Sequence, residues 1–123
     1  MNSRVVVLAL LASGAQAETY LCVSQVGAAV EESGSMEFSA GLIENVSNSK
    51  YIFKNDDGKW SLKRLGDNYA FLDNCDSEYV CQRSDIYAGT FLRTKRGTFS
   101  IVYLNMNGKD ERVFVEKGRC SSI

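Results

Sequence analysis

Four cysteines and no histidine bound the chemistry open to this 123-residue chain. Cys22, Cys75, Cys81 and Cys120 are even in number, which favours two disulfides in an oxidising compartment. Four cysteines allow three pairings, and sequence alone does not choose among them. The expected set joins Cys75 to Cys81 around a tight loop and Cys22 to Cys120 across the first and last strands, because the termini of small domains commonly lie close together. Zinc fits poorly, since there is no C-x-x-C pair and no imidazole. The Cys75–Cys81 spacing is also too long for a thioredoxin-type redox pair. No metal and no cofactor are expected.

The lack of histidine excludes Ser-His-Asp and Cys-His catalysis. Asp73, Asp76 and Glu78 cluster near the central cysteines, and paired carboxylates can hydrolyse glycosides if they face each other across a cleft with separated pKa values. The plainer reading is a solvated acidic loop held by a disulfide. Asn55-Asp56-Asp57-Gly58 lacks the alternating ligands and distal glutamate of an EF-hand and reads as a turn. The glycines have neither P-loop nor dinucleotide spacing. Asn45-Val46-Ser47 has the form of a glycosylation sequon, which matters only in a eukaryotic source.

The basic and tyrosyl residues are the remaining candidates for binding. Arg93, Lys95 and Arg96 crowd a short charged turn, which serves either as a solvated loop or as a site for phosphate or an anionic glycan. Tyr20, Tyr69, Tyr79 and Tyr87 either line a surface or pack half-buried against a β-core. The candidate binding residues are therefore Arg93, Lys95, Arg96, Tyr79 and Tyr87. With 14 basic and 15 acidic side chains of interspersed sign, the chain shows no electrostatic footprint for nucleic acid.

These residues belong to an expected exported β domain. Arg4, an apolar run over 5–12 and the A-x-A site Ala15-Gln16-Ala17 form a signal peptide over 1–17, with cleavage before Glu18. The run is too short to span a bilayer. Thr19, Tyr20 and Leu21 lack the small residues that precede a lipid-modified cysteine, so the mature chain, 18–123, is expected to be a soluble single domain. Losing Arg4 with the leader takes the basic count from 14 to 13 against 15 acidic side chains, a near-neutral balance.

Strand and turn signals recur along 18–123, and helix signals are weak. Period-two alternation on both sides of Asp57-Gly58 predicts a hairpin with Phe53 opposite Leu62 and Tyr51 opposite Arg64, Trp60 on the same apolar face and lysines on the other. Gly97 closes a three-residue turn that sets Phe91 opposite Ile101 and Gly89 opposite Tyr103. Asn107-Gly108 predicts a further hairpin pairing Val102 with Val113 and Ile101 with Phe114, apolar on both faces and deeply buried. Residues 19–32 form a hairpin or one strand bent around Gly27. Met36 and Phe38 start another short strand, 42–46 a helical turn, and 69–72 a strand fragment. Seven or so short strands at turn spacings near ten residues predict an all-β fold, a small antiparallel barrel or sandwich built from hairpins and stapled by disulfides.

Cys22-Val23-Ser24 after the cleavage site, Lys50-Tyr51-Ile52 before an acidic turn and Trp60, the two central cysteines, Gly89-Thr90-Phe91 and Gly118-Arg119-Cys120-Ser121 together resemble a loose group of small exported, uncharacterised bacterial and prophage proteins. The resemblance implies a bacterial or phage origin and a shared cysteine framework, and supplies no activity. The periplasmic inhibitors of C-type lysozyme are small exported barrels of similar length whose inhibitory loop carries Ser-Gly followed closely by tyrosine. Here Ser33-Gly34-Ser35 leads to Met36 and Phe38, a departure from that loop.

The functional expectation is an exported, non-enzymatic β module that binds a protein or a cell-envelope component, in the periplasm or outside the cell. The alternatives are a small carboxylate-dependent glycan hydrolase and a structural envelope or virion component.

Overall fold

In the computed structural model, which describes residues 18–83, 89–105 and 111–123, the chain forms an all-β, nearly closed antiparallel barrel. The expected leader lies outside the described residues, as do Tyr87 and the Asn107-Gly108 turn.

The first strand, β1 (Thr19–Glu32), is one bent strand rather than a hairpin. A register shift between Ser24 and Val26 supplies the bend, because a bulge increases local twist. Met36 turns the chain with a φ of 62°, and β2 (Phe38–Leu42) returns along the far half of β1. The helical turn expected at 42–46 is displaced to a 3-10 turn at Val46–Asn48. β3 (Lys50–Asp56) then continues along the near half of β1.

The hairpin of β3 with β4 (Lys59–Arg64) has the expected register, with Phe53 opposite Leu62 and Tyr51 opposite Arg64. Its turn takes φ of 54° at Asp57 and 86° at Gly58, the doubly positive geometry that matches the twist of the flanking strands. The short β5 (Asn74–Cys75) pairs with β6 (Val80–Arg83), which pairs with β7 (Gly89–Arg93). β7 and β8 (Thr98–Asn105) pair Phe91 with Ile101 and Gly89 with Tyr103, again as expected.

The last hairpin, β8 with β9 (Glu111–Ser122), departs from expectation by two residues: Val102 faces Val115 and Ile101 faces Glu116. The shift places Phe114 against Tyr103, where the rings stack with centroids 4.8 Å apart. It keeps every side chain on its expected face, because the side-chain period is two. The expectation of burial on both faces fails: Val102, Val113 and Val115 are exposed, and the inner face takes Ile101 and Glu116.

The sheet order is β4-β3-β1-β9-β8-β7-β6-β5, with β2 added to β1. Closure comes from the predicted fragment at 69–72, where Leu72 bridges Leu62 on β4 and Leu62 N–H donates to the Leu72 carbonyl at 2.8 Å. The lumen is filled by rings: Phe53 lies 4.6 Å from Trp60 and 4.9 Å from Phe91, and Phe91 stacks on Phe99 at 5.7 Å. Gly118 lets β9 run tight against β1, since a β-carbon there would collide with the Val23 carbonyl and come within 2.8 Å of the Phe99 ring.

Both expected disulfides form, Cys22–Cys120 and Cys75–Cys81. They span 98 and 6 residues, so a chain-entropy model gives roughly 4 to 5 kcal/mol for the first and about 2 kcal/mol for the second. Cys22→Ala/Cys120→Ala should therefore lower the urea midpoint about twice as far as Cys75→Ala/Cys81→Ala, as read by equilibrium unfolding.

Candidate functional site

Among the described residues two charged side chains are buried inside the barrel, Arg93 and Glu116. The aromatic core lies between them, running from Arg93 over Phe53 through Phe91 and Phe99 to Tyr51, whose hydroxyl meets Glu116.

Arg93 is the first candidate residue, and its position separates it from the other two. Alternation along β7 turns Arg93 inward with Phe91, while Lys95 and Arg96 sit exposed in the following turn. The guanidinium lies 4.2 Å over the Tyr20 ring and 5.0 Å over Tyr79, and Nε donates to the Glu78 carbonyl at 3.1 Å. A partly exposed ion pair to the Glu78 carboxylate, 3.7 Å long, completes the set. Tyr79 thus packs against a buried cation rather than standing free. Asp73 and Asp76 are exposed, and Glu78 is committed to Arg93.

Glu116 forms the opposite cluster. It sits on β9 between Gly27 of β1 and Ile101 of β8, and Gly27 makes room for it: a β-carbon there would lie 3.1 Å from Glu116 Cγ. Ser24 Oγ donates to Oε1 at 2.5 Å, the Tyr51 hydroxyl lies 3.2 Å from both carboxylate oxygens, and the Tyr103 hydroxyl donates to Oε2 at 3.0 Å. A buried carboxylate is costly unless its oxygens are bonded, and three hydroxyls meet that need. Burial pushes the Tyr51 phenol far above its ordinary value, reinforced by the Glu116 charge. Burial and the same charge raise Tyr103 to about 12. Arg64 opposes both shifts. Both tyrosines therefore remain protonated donors across the physiological range.

A polar pocket of about 360 Å³ opens beside this cluster, lined by Asn48, Lys50, Tyr51, Arg64, Asp67 and Tyr103 among others. The strand pair Tyr51–Arg64 sets its wall. The Arg64 guanidinium sits 4.2 Å from the centre of the Phe71 ring and 5.3 Å from that of Tyr103, two rings set at right angles to each other. Among the described residues no carboxylate pairs with Arg64 or Lys50, and no acceptor bonds the Arg64 guanidinium. Asp67 is half-buried and likewise has no ion-pair partner among them. The described residues contain no group of three or more potential metal ligands.

None of these pocket and cluster residues was a sequence candidate. A signal was present: stepping back from Cys120 in twos along β9 reaches Gly118 and then Glu116, which puts a carboxylate on the cysteine's inward face. No protein-family model, no curated protein and no solved structure matches the chain.

The raised tyrosines link stability to pH. The unfolded phenols ionise near 10, while folding holds the Tyr103 proton to about 12 and the Tyr51 proton higher still. Their contribution is fully present below pH 10 and is lost as pH rises through the folded values. Urea midpoints should fall between pH 10 and 12, and Tyr103→Phe should flatten that limb while lowering stability near neutrality by about 1 to 3 kcal/mol, the cost of one lost donor to a buried carboxylate.

Proposed function

We propose that this chain is an exported, non-enzymatic binding module, and that its barrel mouth holds a cell-envelope component or protein end by a carboxylate. The observation that carries the reading is Arg64: its guanidinium is positioned by two rings, lines a polar pocket and meets no acceptor among the described residues. A planar guanidinium held in this way is ready for bidentate contact with a carboxylate, and stacking removes much of the entropy that an arginine loses on binding. Lys50 adds positive charge on the same wall, and Asp67 offers a place for a ligand ammonium.

Glu116 supports binding over catalysis, because its oxygens are already taken by Ser24, Tyr51 and Tyr103 and those tyrosines keep their protons. Two disulfides accord with an oxidising compartment, periplasmic or extracellular. Among the described residues no helix is long and apolar enough to cross a membrane.

The test is a nitrogen-15 NMR titration of the oxidised protein with N-acetyl-trialanine, as the free acid and as its C-terminal amide. The free acid should shift the Arg64 side-chain and Tyr103 backbone signals and the amide should not; Arg64→Gln should weaken binding about tenfold or more with little change in urea midpoint. Equal responses to acid and amide, or none up to about 10 mM, would reject the carboxylate site.

A further inference from the structure

Strand β2 exposes an unprotected edge. Among the described residues it pairs only with β1, and all five of its residues are exposed. At the two ends of this pairing, Ile43 N–H donates to the Gly27 carbonyl and Ser33 N–H to the Glu37 carbonyl, each at 2.9 Å. Odd-numbered positions therefore bond towards β1. Since the bonding direction alternates along an antiparallel strand, Phe38, Ala40 and Leu42 aim their N–H and C=O groups at the open edge. Such edges are ordinarily blunted by lysine, proline or a bulge, and Phe38-Ser39-Ala40-Gly41-Leu42 has none of these.

The side chains add an apolar incentive. Register places Phe38, Ala40 and Leu42 on the same outer face as Val30, Val113 and Val115. Phe38 is 75% exposed, Leu42 79% and Val30 51%.

We infer that a second copy of this chain pairs with this edge, β2 against β2, antiparallel and centred on Ala40. In that register the edge complements itself. Ala40 exchanges bonds with Ala40 of the second copy, and Phe38 with its Leu42 on both sides of the axis, about six hydrogen bonds in all. Phe38 meets Leu42 across the seam, and the two apolar faces become one. No like charges oppose each other, since Glu37 falls opposite Ile43 and Glu44 opposite Met36. Other registers are poorer: an odd offset sets outward groups against groups already bonded to β1, centres at Ser39 and Gly41 join only Phe38 with Ala40 or Ala40 with Leu42, about four bonds, a centre at Phe38 needs Met36 with its φ of 62° to extend the strand, and a centre at Leu42 runs into the 3-10 turn at Val46–Asn48. A two-fold axis makes the contact closed, giving a dimer rather than a fibre. This inference is independent of the mouth pocket.

The experiment combines light-scattering mass with directed cross-linking of the mature, oxidised protein. In the Ala40-centred register Ser39 faces Gly41 of the second copy as a non-hydrogen-bonded pair, about 4.5 Å apart at Cα and within disulfide reach. A β-carbon on Gly41 has open space around it. Mixing Ser39→Cys with Gly41→Cys should give a disulfide-linked dimer carrying one of each chain, well above what either variant forms alone. The wild type should have twice the chain mass at about 100 μM. Ala40→Pro removes only an outward donor and should weaken dimerisation about tenfold or more, with a urea midpoint unchanged when both proteins are diluted to the monomer. If that variant misfolds, Phe38→Lys/Leu42→Lys, which sets lysines opposite each other, reads the same property. A monomeric wild type at that concentration, or no cross-linking preference for the mixed pair, overturns the inference, including the outcome in which the edge takes a strand from a different protein.

Discussion

The pairing of the first strand with the last is the constraint on which the rest of the structure depends. β1 and β9 match over twelve register positions, and the remaining strands are arranged on either side of that seam. Gly118 permits the close approach, and the Cys22–Cys120 bridge holds it at directly opposed positions. A contact between residues 98 apart is entropically expensive to form, so a covalent closure there constrains the unfolded chain far more than the short Cys75–Cys81 link does. The local link shapes the loop that delivers Glu78 and Tyr79 to Arg93.

A barrel of this size has little lumen, and rings take most of it. The two charges buried among the described residues are handled differently. Arg93 spreads its charge over ring faces and a carbonyl, as a delocalised and weakly hydrated cation allows. Glu116 concentrates its charge and takes three hydroxyl donors. Arg64 stands apart from both. It shares the stacking of Arg93 but has no acceptor among the described residues, which makes the mouth a candidate for binding and leaves the Arg93 end as packing.

Local pattern carried far in this chain. Alternation about Asp57-Gly58, and a glycine in the right place at Gly97, were enough for two hairpins in register, since loop type and strand pairing are coupled within a few residues. The final hairpin slipped by two because a turn dipeptide does not specify loop length, and the competing registers expose the same faces. The Phe114–Tyr103 stack goes with the register found, in which the two residues stand directly opposite each other. The Arg93, Lys95 and Arg96 patch dissolved for a similar reason: adjacency in sequence does not imply a shared face, and strand parity sent Arg93 inward.

The amino-acid sequence by itself determined the all-β class, the hairpin chemistry and an even set of cysteines suited to two disulfides, together with the exclusion of histidine-dependent catalysis, because these follow from residue type and short-range spacing, whereas the choice among the three pairings came with the fold. Only the tertiary structure decided which polar residues meet. Ser24, Tyr51, Tyr103 and Glu116 come from four different strands, and the sequence holds no sign of their convergence until barrel closure has fixed which strands are neighbours and which faces look inward. The physical reason is that strand parity is a local property, whereas neighbourhood across a barrel is set by long-range pairing.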